Sequence, residues 1–164
     1  MDNFELAMMG VKIACKVLQI KMPEVLFFNN KTLDEKGINA IFQKEDYIIA
    51  FSENWIKSVK TNMEIMITCF HESRHAFQYQ VIKGNYKGTE SISNNTLELW
   101  KSEFNQYHAP SGEIENDNDY LYQDIEIDAI SFAHKMMLEH FGVKTIVPDE
   151  VKEKFSSKWR LYHD

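Results

Sequence analysis

Cysteine is scarce in this chain, and its scarcity excludes a fold that is held together by many disulfides. Cys15 and Cys69 are the only two in 164 residues, and each lies in an apolar helical pattern. Such residues usually behave as small buried side chains, and their spacing matches no zinc-binding cysteine pair. We therefore expect a reducing compartment and a cytoplasmic protein.

The chain also lacks a long stretch of basic residues and a long stretch of apolar residues. The formal net charge is −7, so a nucleic-acid-binding surface is not indicated. No apolar stretch approaches the length of a membrane span, and residues 1–5 lack the basic region of a secretory signal. These absences predict no nucleic-acid partner and no membrane partner, and they leave the oligomeric state open.

Hydrophobic residues make up 44% of the chain, and neither an internal repeat nor a low-complexity linker divides it. One folded domain over residues 1–164 is therefore expected. The order is a helix, a small sheet and then several helices, which favours an α+β fold. The pattern predicts helices over 4–21, 62–83, 95–107, 120–141 and 148–162, and strands over 24–28, 39–43 and 47–51.

The most informative stretch is His71-Glu72-Ser73-Arg74-His75, an HExxH sequence. In a helix, residues four apart lie on one face, so both imidazoles point the same way and can ligate one zinc ion. Glu72 follows the first ligand, where it can reach a water on the metal without ligating the metal itself. Arg74 points away from the ligand face, and we expect it to form a salt bridge.

The residues around this motif favour a helix. Thr61 and Glu64 form a T-x-x-E capping signal, and Gly84 is a plausible end of the helix. Residues 63–70 are mostly apolar and contain neither glycine nor proline. The motif therefore falls in the middle of a predicted helix, as its geometry requires.

A catalytic zinc site needs a third protein ligand. The extended pattern HExxHxxGxxH fails, because Gln78 and Val81 stand at its glycine and third histidine. Glu126 is the best candidate, since it shares a helical face with small and apolar residues and a carboxylate there needs a partner. Periodicity does not separate it firmly from Asp124 or Asp128. The full set of candidates is Glu98, Glu103, His108, Asp124, Glu126, Asp128, His134 and His140.

The two motifs together resemble those of a known family. The HExxH sequence, followed by Glu126-Ile-Asp-Ala129 and then by Phe132-Ala133, resembles the gluzincin-type metallopeptidases of the ImmA/IrrE group, small bacterial and mobile-element proteins. The resemblance implies a Zn²⁺ ion ligated by His71, His75 and Glu126, with Glu72 as catalytic acid/base. It also implies a minimal zincin-like fold, in which a small twisted, mostly antiparallel sheet packs on the active-site helix.

Such a site would hydrolyse an amide bond. Zinc would lower the pKa of a bound water toward ~7, and Glu72 would carry its proton to the leaving amine. A second donor is usually needed for the developing oxyanion. Tyr122, one turn before Glu126 on the predicted helix, is our first candidate for that donor. The weaker candidates are Tyr120, His108 and His134.

The order of elements suggests what borders the cleft. The strand 47–51 is expected at the sheet edge, where an extended peptide can pair with its backbone. Residues 84–118 are expected to form an insertion that shapes the cleft, and the acidic run 113–119 is expected to be a solvated loop.

The function that these motifs favour is a zinc-dependent metallopeptidase with a protein or peptide substrate. The resemblance adds that the substrate is a specific intracellular protein. One alternative is a catalytically silent, zinc-stabilised binding module, although the retention of Glu72 argues against it. Another is a hydrolase of a non-peptide amide or ester, which the motif alone does not exclude.

Overall fold

The computed structural model describes residues 1–109 and 118–163 and has an α+β fold, which confirms the predicted class. In this part of the chain, no helix combines the length and the apolar composition that crossing a bilayer requires. The elements are α1 (Asn3–Leu18), β1 (Glu24–Phe28), α2 (Lys31–Glu35), β2 (Ala40–Gln43), β3 (Ile48–Ser52), α3 (Glu53–Ser58), α4 (Asn62–Ile82), α5 (Asn94–Asn105), α6 (Asn118–Leu121), α7 (Asp124–Phe141), a 3₁₀ helix (Asp149–Val151) and α8 (Lys152–His163).

The sheet is mixed, and the prediction of a mostly antiparallel sheet is wrong. Its strand order is β1-β3-β2, with β1 parallel and β2 antiparallel to β3. The prediction that the strand 47–51 forms the sheet edge is also wrong, because β3 pairs on both sides. Ile49 and Phe51 of β3 are fully buried, as a continuous apolar strand in the centre of a sheet should be. Strand β2, at one end of the strand order, is an edge strand of this sheet.

The predicted helix over 120–141 is divided in two, and α7 begins only at Asp124. Gln123 has an extended backbone (φ −61°, ψ 136°). Its side-chain amide accepts from the backbone N–H of His108 and donates to the carbonyls of His108 and Tyr120. These bonds fix the chain in a turn before α7. Most of the predicted solvated loop, 113–117, lies outside the described residues, and the two short helices α2 and α3 were not predicted.

Helix α4, which carries the HExxH sequence, packs against α1, α7 and β2. It begins where the sequence predicts, because the hydroxyl of Thr61 accepts the backbone N–H of Glu64. It ends before Gly84, whose φ of +70° suits a residue without a Cβ. Its side chains Ile65, Phe70 and Phe77 are fully buried in the main core. The motif is therefore held on a rigid, buried helix.

Helices α1 and α4 come unusually close at Gly10. A Cβ atom at Gly10 would lie 2.9 Å from both Cβ and Sγ of Cys69. We expect Gly10→Ala to lower the free energy of unfolding by about 1–2 kcal/mol, since overpacking outweighs the better helix propensity of alanine. Thermal unfolding measures this, with the exposed Lys12→Ala on the same helix as the control. A Gly10→Ala variant as stable as wild type would show that the two helices can move apart freely.

Candidate metal centre

Two helices bring two imidazole rings and one carboxylate together. His71 and His75 lie one turn apart on α4, and Glu126 lies in the first turn of α7. The Nε2 atoms of the two rings are 3.1 Å apart. One oxygen of Glu126, Oε2, lies 3.2 Å from Nε2 of His71, and the other, Oε1, lies 3.4 Å from Nε2 of His75. The three side chains form a group that could hold a metal ion.

These separations suit a small divalent cation. Two donors that lie roughly 2.0–2.1 Å from a zinc ion at a tetrahedral angle are about 3.3 Å apart. The distance between the two Nε2 atoms, 3.1 Å, is close to this value, as is the distance from each ring to one oxygen of Glu126, 3.2 Å for His71 and 3.4 Å for His75. Glu126 is fully buried, and its Oε2, although 3.2 Å from Nε2 of His71, forms no hydrogen bond with any residue that the structure describes. An ionised oxygen buried in this way needs a positive partner. The donor set therefore fits a divalent metal ion.

The contact between Glu126 and the two rings opposes the effect of burial on the pKa values of the site. Burial alone would lower the pKa of His75, but the negative charge of Glu126, with that of Glu72, outweighs burial and raises it to about 9. Burial alone would likewise raise the pKa of Glu126, and the two imidazoles hold it well below its ordinary value. The carboxylate of Glu126 thus stays ionised. A metal ion that binds the ring of His75 would displace a proton from that ring.

Glu72 reaches the same site from the next position of α4. Its side chain is only 8% exposed and lines a cavity of about 260 Å³ together with His71 and His75. Ile38 and residues 40–45, which include β2, form another wall of this cavity. Phe104 and Tyr107, from the described part of the predicted insertion, line it as well. The general base that the motif predicts therefore faces a space in which a substrate can bind.

Tyr107 is the functional candidate that the sequence did not reveal. Its hydroxyl donates to Oε1 of Glu126 at 2.9 Å, and its ring meets the ring of Tyr120 edge to face. Tyr107 is 41% exposed, but partial burial and the charge of Glu126 raise the pKa of its hydroxyl, which therefore keeps its proton. No local pattern marks this residue, because it follows the end of α5 and only tertiary packing brings it to Glu126.

Tyr122 does not line this cavity, contrary to the position that we predicted for it. It is 42% exposed, and Nζ of Lys154 lies 4.9 Å from the centre of its ring. The prediction assumed one helix over 120–141, on which Tyr122 would share a face with Glu126. Because the chain turns at Gln123, that shared face does not exist. Tyr107 and Tyr120 are the tyrosines beside the carboxylate.

The other candidate ligands have different partners. Asp124 accepts from Nε1 of Trp100 at 3.0 Å and from Nζ of Lys158 at 2.9 Å. Asp128 is held by Arg74, whose predicted salt bridge is confirmed. Five further candidates lie outside the metal-binding group, namely Glu98, Glu103, His108, His134 and His140. Glu126 is thus the carboxylate that the fold places against the two rings.

Comparison with known proteins identifies neither a family nor a function for this chain. No protein-family model, curated protein or solved structure matches this chain. Membership of the ImmA/IrrE group therefore stays a prediction from the two motifs. The function of this chain has to follow from the chemistry of His71, Glu72, His75 and Glu126 and from the cavity that they border.

Proposed function

We propose that this chain is a zinc-dependent peptidase with a zincin-like arrangement of its active site. One observation carries the proposal: three metal-ligating side chains lie within reach of a single ion, and a carboxylate that is not one of them, Glu72, lines the adjoining cavity. A purely structural zinc site is usually closed by four protein ligands. Three ligands beside a cavity and a general base are typical of hydrolytic sites.

Three side chains of the site would hold the metal, and a fourth would transfer a proton. His71, His75 and Glu126 would hold Zn²⁺, which would supply Lewis acidity to water and to the substrate carbonyl. Glu72 would accept the proton of the attacking water and return it to the leaving amine. Tyr107, a neutral donor beside Glu126, is placed to orient that carboxylate.

The borders of the cavity favour a peptide as the substrate. In the described part of the chain, strand β2 pairs with β3 along one side and with no strand along the other, and its residues line the cavity. An extended chain can add to such an edge through backbone hydrogen bonds. Phe42 and Phe104 give the cavity an apolar wall, which suits an apolar side chain next to the bond that is cleaved. That the substrate is a specific intracellular protein rests on the resemblance of the motifs.

Zinc content and peptide cleavage, measured together, test this function. We expect one zinc ion per chain, and we expect a proteome-derived peptide library to be cut by the zinc-loaded protein. Cleavage should stop when a chelator removes the metal and return when zinc is restored. Zinc binding without any cleavage would support the silent binding module instead. Hydrolysis of esters alone would support the non-peptide hydrolase, and a chain that binds no zinc would contradict the proposal.

A further inference from the structure

Gln78 lies one turn after His75 on α4 and is fully buried. Its side-chain oxygen, Oε1, is 2.9 Å from Nδ1 of His75, on the side of the ring opposite the metal-binding group. Its side-chain nitrogen, Nε2, donates to the carbonyl oxygen of Ile125 at 2.9 Å and to Oδ2 of Asp128 at 2.8 Å. This one amide thus joins α4 to the first turn of α7, which carries Glu126.

The orientation of this amide is fixed by its partners. The NH₂ group of Gln78 faces two acceptors, the backbone carbonyl of Ile125 and the carboxylate of Asp128, both of whose oxygens also accept from Arg74. Turning the amide over would place its oxygen against both acceptors and its NH₂ against His75. The oxygen of Gln78 must therefore face His75, and it can only accept a hydrogen bond.

A buried ion-pair network holds the acceptor that sets this orientation. Arg74 donates to both oxygens of Asp128, at 2.7 Å and 3.2 Å, and to both oxygens of Glu90, at 2.8 Å and 2.6 Å. This bidentate contact pairs the carboxylate of Asp128 with a guanidinium group and sets its position.

We propose that Gln78 is a positioning residue that holds His75 in its Nδ1–H tautomer. When Nδ1 donates to Gln78, the neutral ring carries no proton on Nε2, and that lone pair faces His71 and Glu126. Metal-ligating histidines commonly need such a partner to fix tautomer and ring orientation. The inference rests on the proposed metal site and adds the residue that prepares one of its ligands.

Two substitutions of Gln78 separate this role from simple packing. Gln78→Met keeps the length of the side chain but removes the acceptor for Nδ1. Gln78→Glu keeps an oxygen acceptor there, whether the introduced carboxyl is ionised or protonated. Neither variant retains the amide donor to Ile125, so both are expected to lose stability. Only Gln78→Met should lose the hydrogen bond to His75.

The first measurement is zinc affinity, by competition with a chelator. We expect Gln78→Met to bind zinc about 10- to 100-fold more weakly than wild type, the usual cost of removing such a partner. Gln78→Glu should recover most of that loss. The inference is overturned if Gln78→Met binds zinc as tightly as wild type, or if both variants are weakened equally.

The second measurement needs neither zinc nor turnover. Ring ¹⁵N shifts of the metal-free wild type, at an alkaline pH where His75 is neutral, report which nitrogen carries the proton. We expect the proton on Nδ1, and a proton on Nε2 would overturn the inference even if neither variant folded. A protein that binds no zinc or cleaves no peptide would contradict the proposed function, while this tautomer result would still stand.

Discussion

Glu72→Gln is expected to bind zinc as tightly as wild type while its peptide hydrolysis falls at least about a hundredfold. The substitution keeps the size of a side chain that is not a metal ligand, so the rings of His71 and His75 and the carboxylate of Glu126 stay in place. It removes a group that can accept a proton from water. General acid–base catalysis contributes roughly 10²–10⁴-fold, so the loss should appear in kcat.

The experiment compares zinc affinity and kcat of Glu72→Gln with those of Glu139→Gln. Glu139 is an exposed carboxylate on α7, and its substitution should leave both quantities unchanged. Full activity in Glu72→Gln would remove Glu72 from the mechanism. A loss of zinc from the same variant would instead show that Glu72 helps to hold the metal. In that case another group would have to act as the general base.

The residues of the candidate metal centre could be predicted because their signal is local and chemical. The HExxH sequence places two rings on one face of any helix, and the capping residue Thr61 fixes where that helix begins. Glu126 needed a second signal, the likeness of residues 126–133 to a family motif. Periodicity alone left Asp124 and Asp128 open, because all three carboxylates lie near the start of α7 and only packing decides which one meets the rings.

What could not be predicted depends on contacts between distant segments. Tyr107 and Gln78 reach the site through tertiary hydrogen bonds, to Glu126 and to the first turn of α7, that no pattern near either residue encodes. The break before α7 depends on bonds from Gln123 to the backbone of His108. The parallel pairing of β1 with β3 depends on the path of the chain between them, whereas the β2–β3 hairpin follows from a short turn.

Arg74→Met is expected to lower the free energy of unfolding by about 3–5 kcal/mol, because it breaks a buried ion pair by removing one partner. The side chains of Arg74 and Asp128 are each only 1% exposed. Methionine replaces the aliphatic part of Arg74 beside Phe77, whose ring centre lies 4.2 Å from the guanidinium carbon. It leaves the carboxylate of Asp128 buried without the cation that contacts it most closely. For a chain of this size, the temperature of thermal unfolding should fall by roughly 6–20 °C.

The cause of that loss can be separated into charge and packing. If an uncompensated carboxylate is the cause, the double variant Arg74→Met/Asp128→Leu should be more stable than Arg74→Met alone, because apolar residues often replace a buried ion pair at little cost. The exposed pair of Lys57 and Glu53 supplies the control, since Lys57→Met should change stability by only a few tenths of a kcal/mol. A double variant no more stable than Arg74→Met would show that packing and the bond from Gln78 to Asp128, rather than charge, hold α4 against α7. In that case zinc affinity should fall with stability in both variants, because the same contact orients His75.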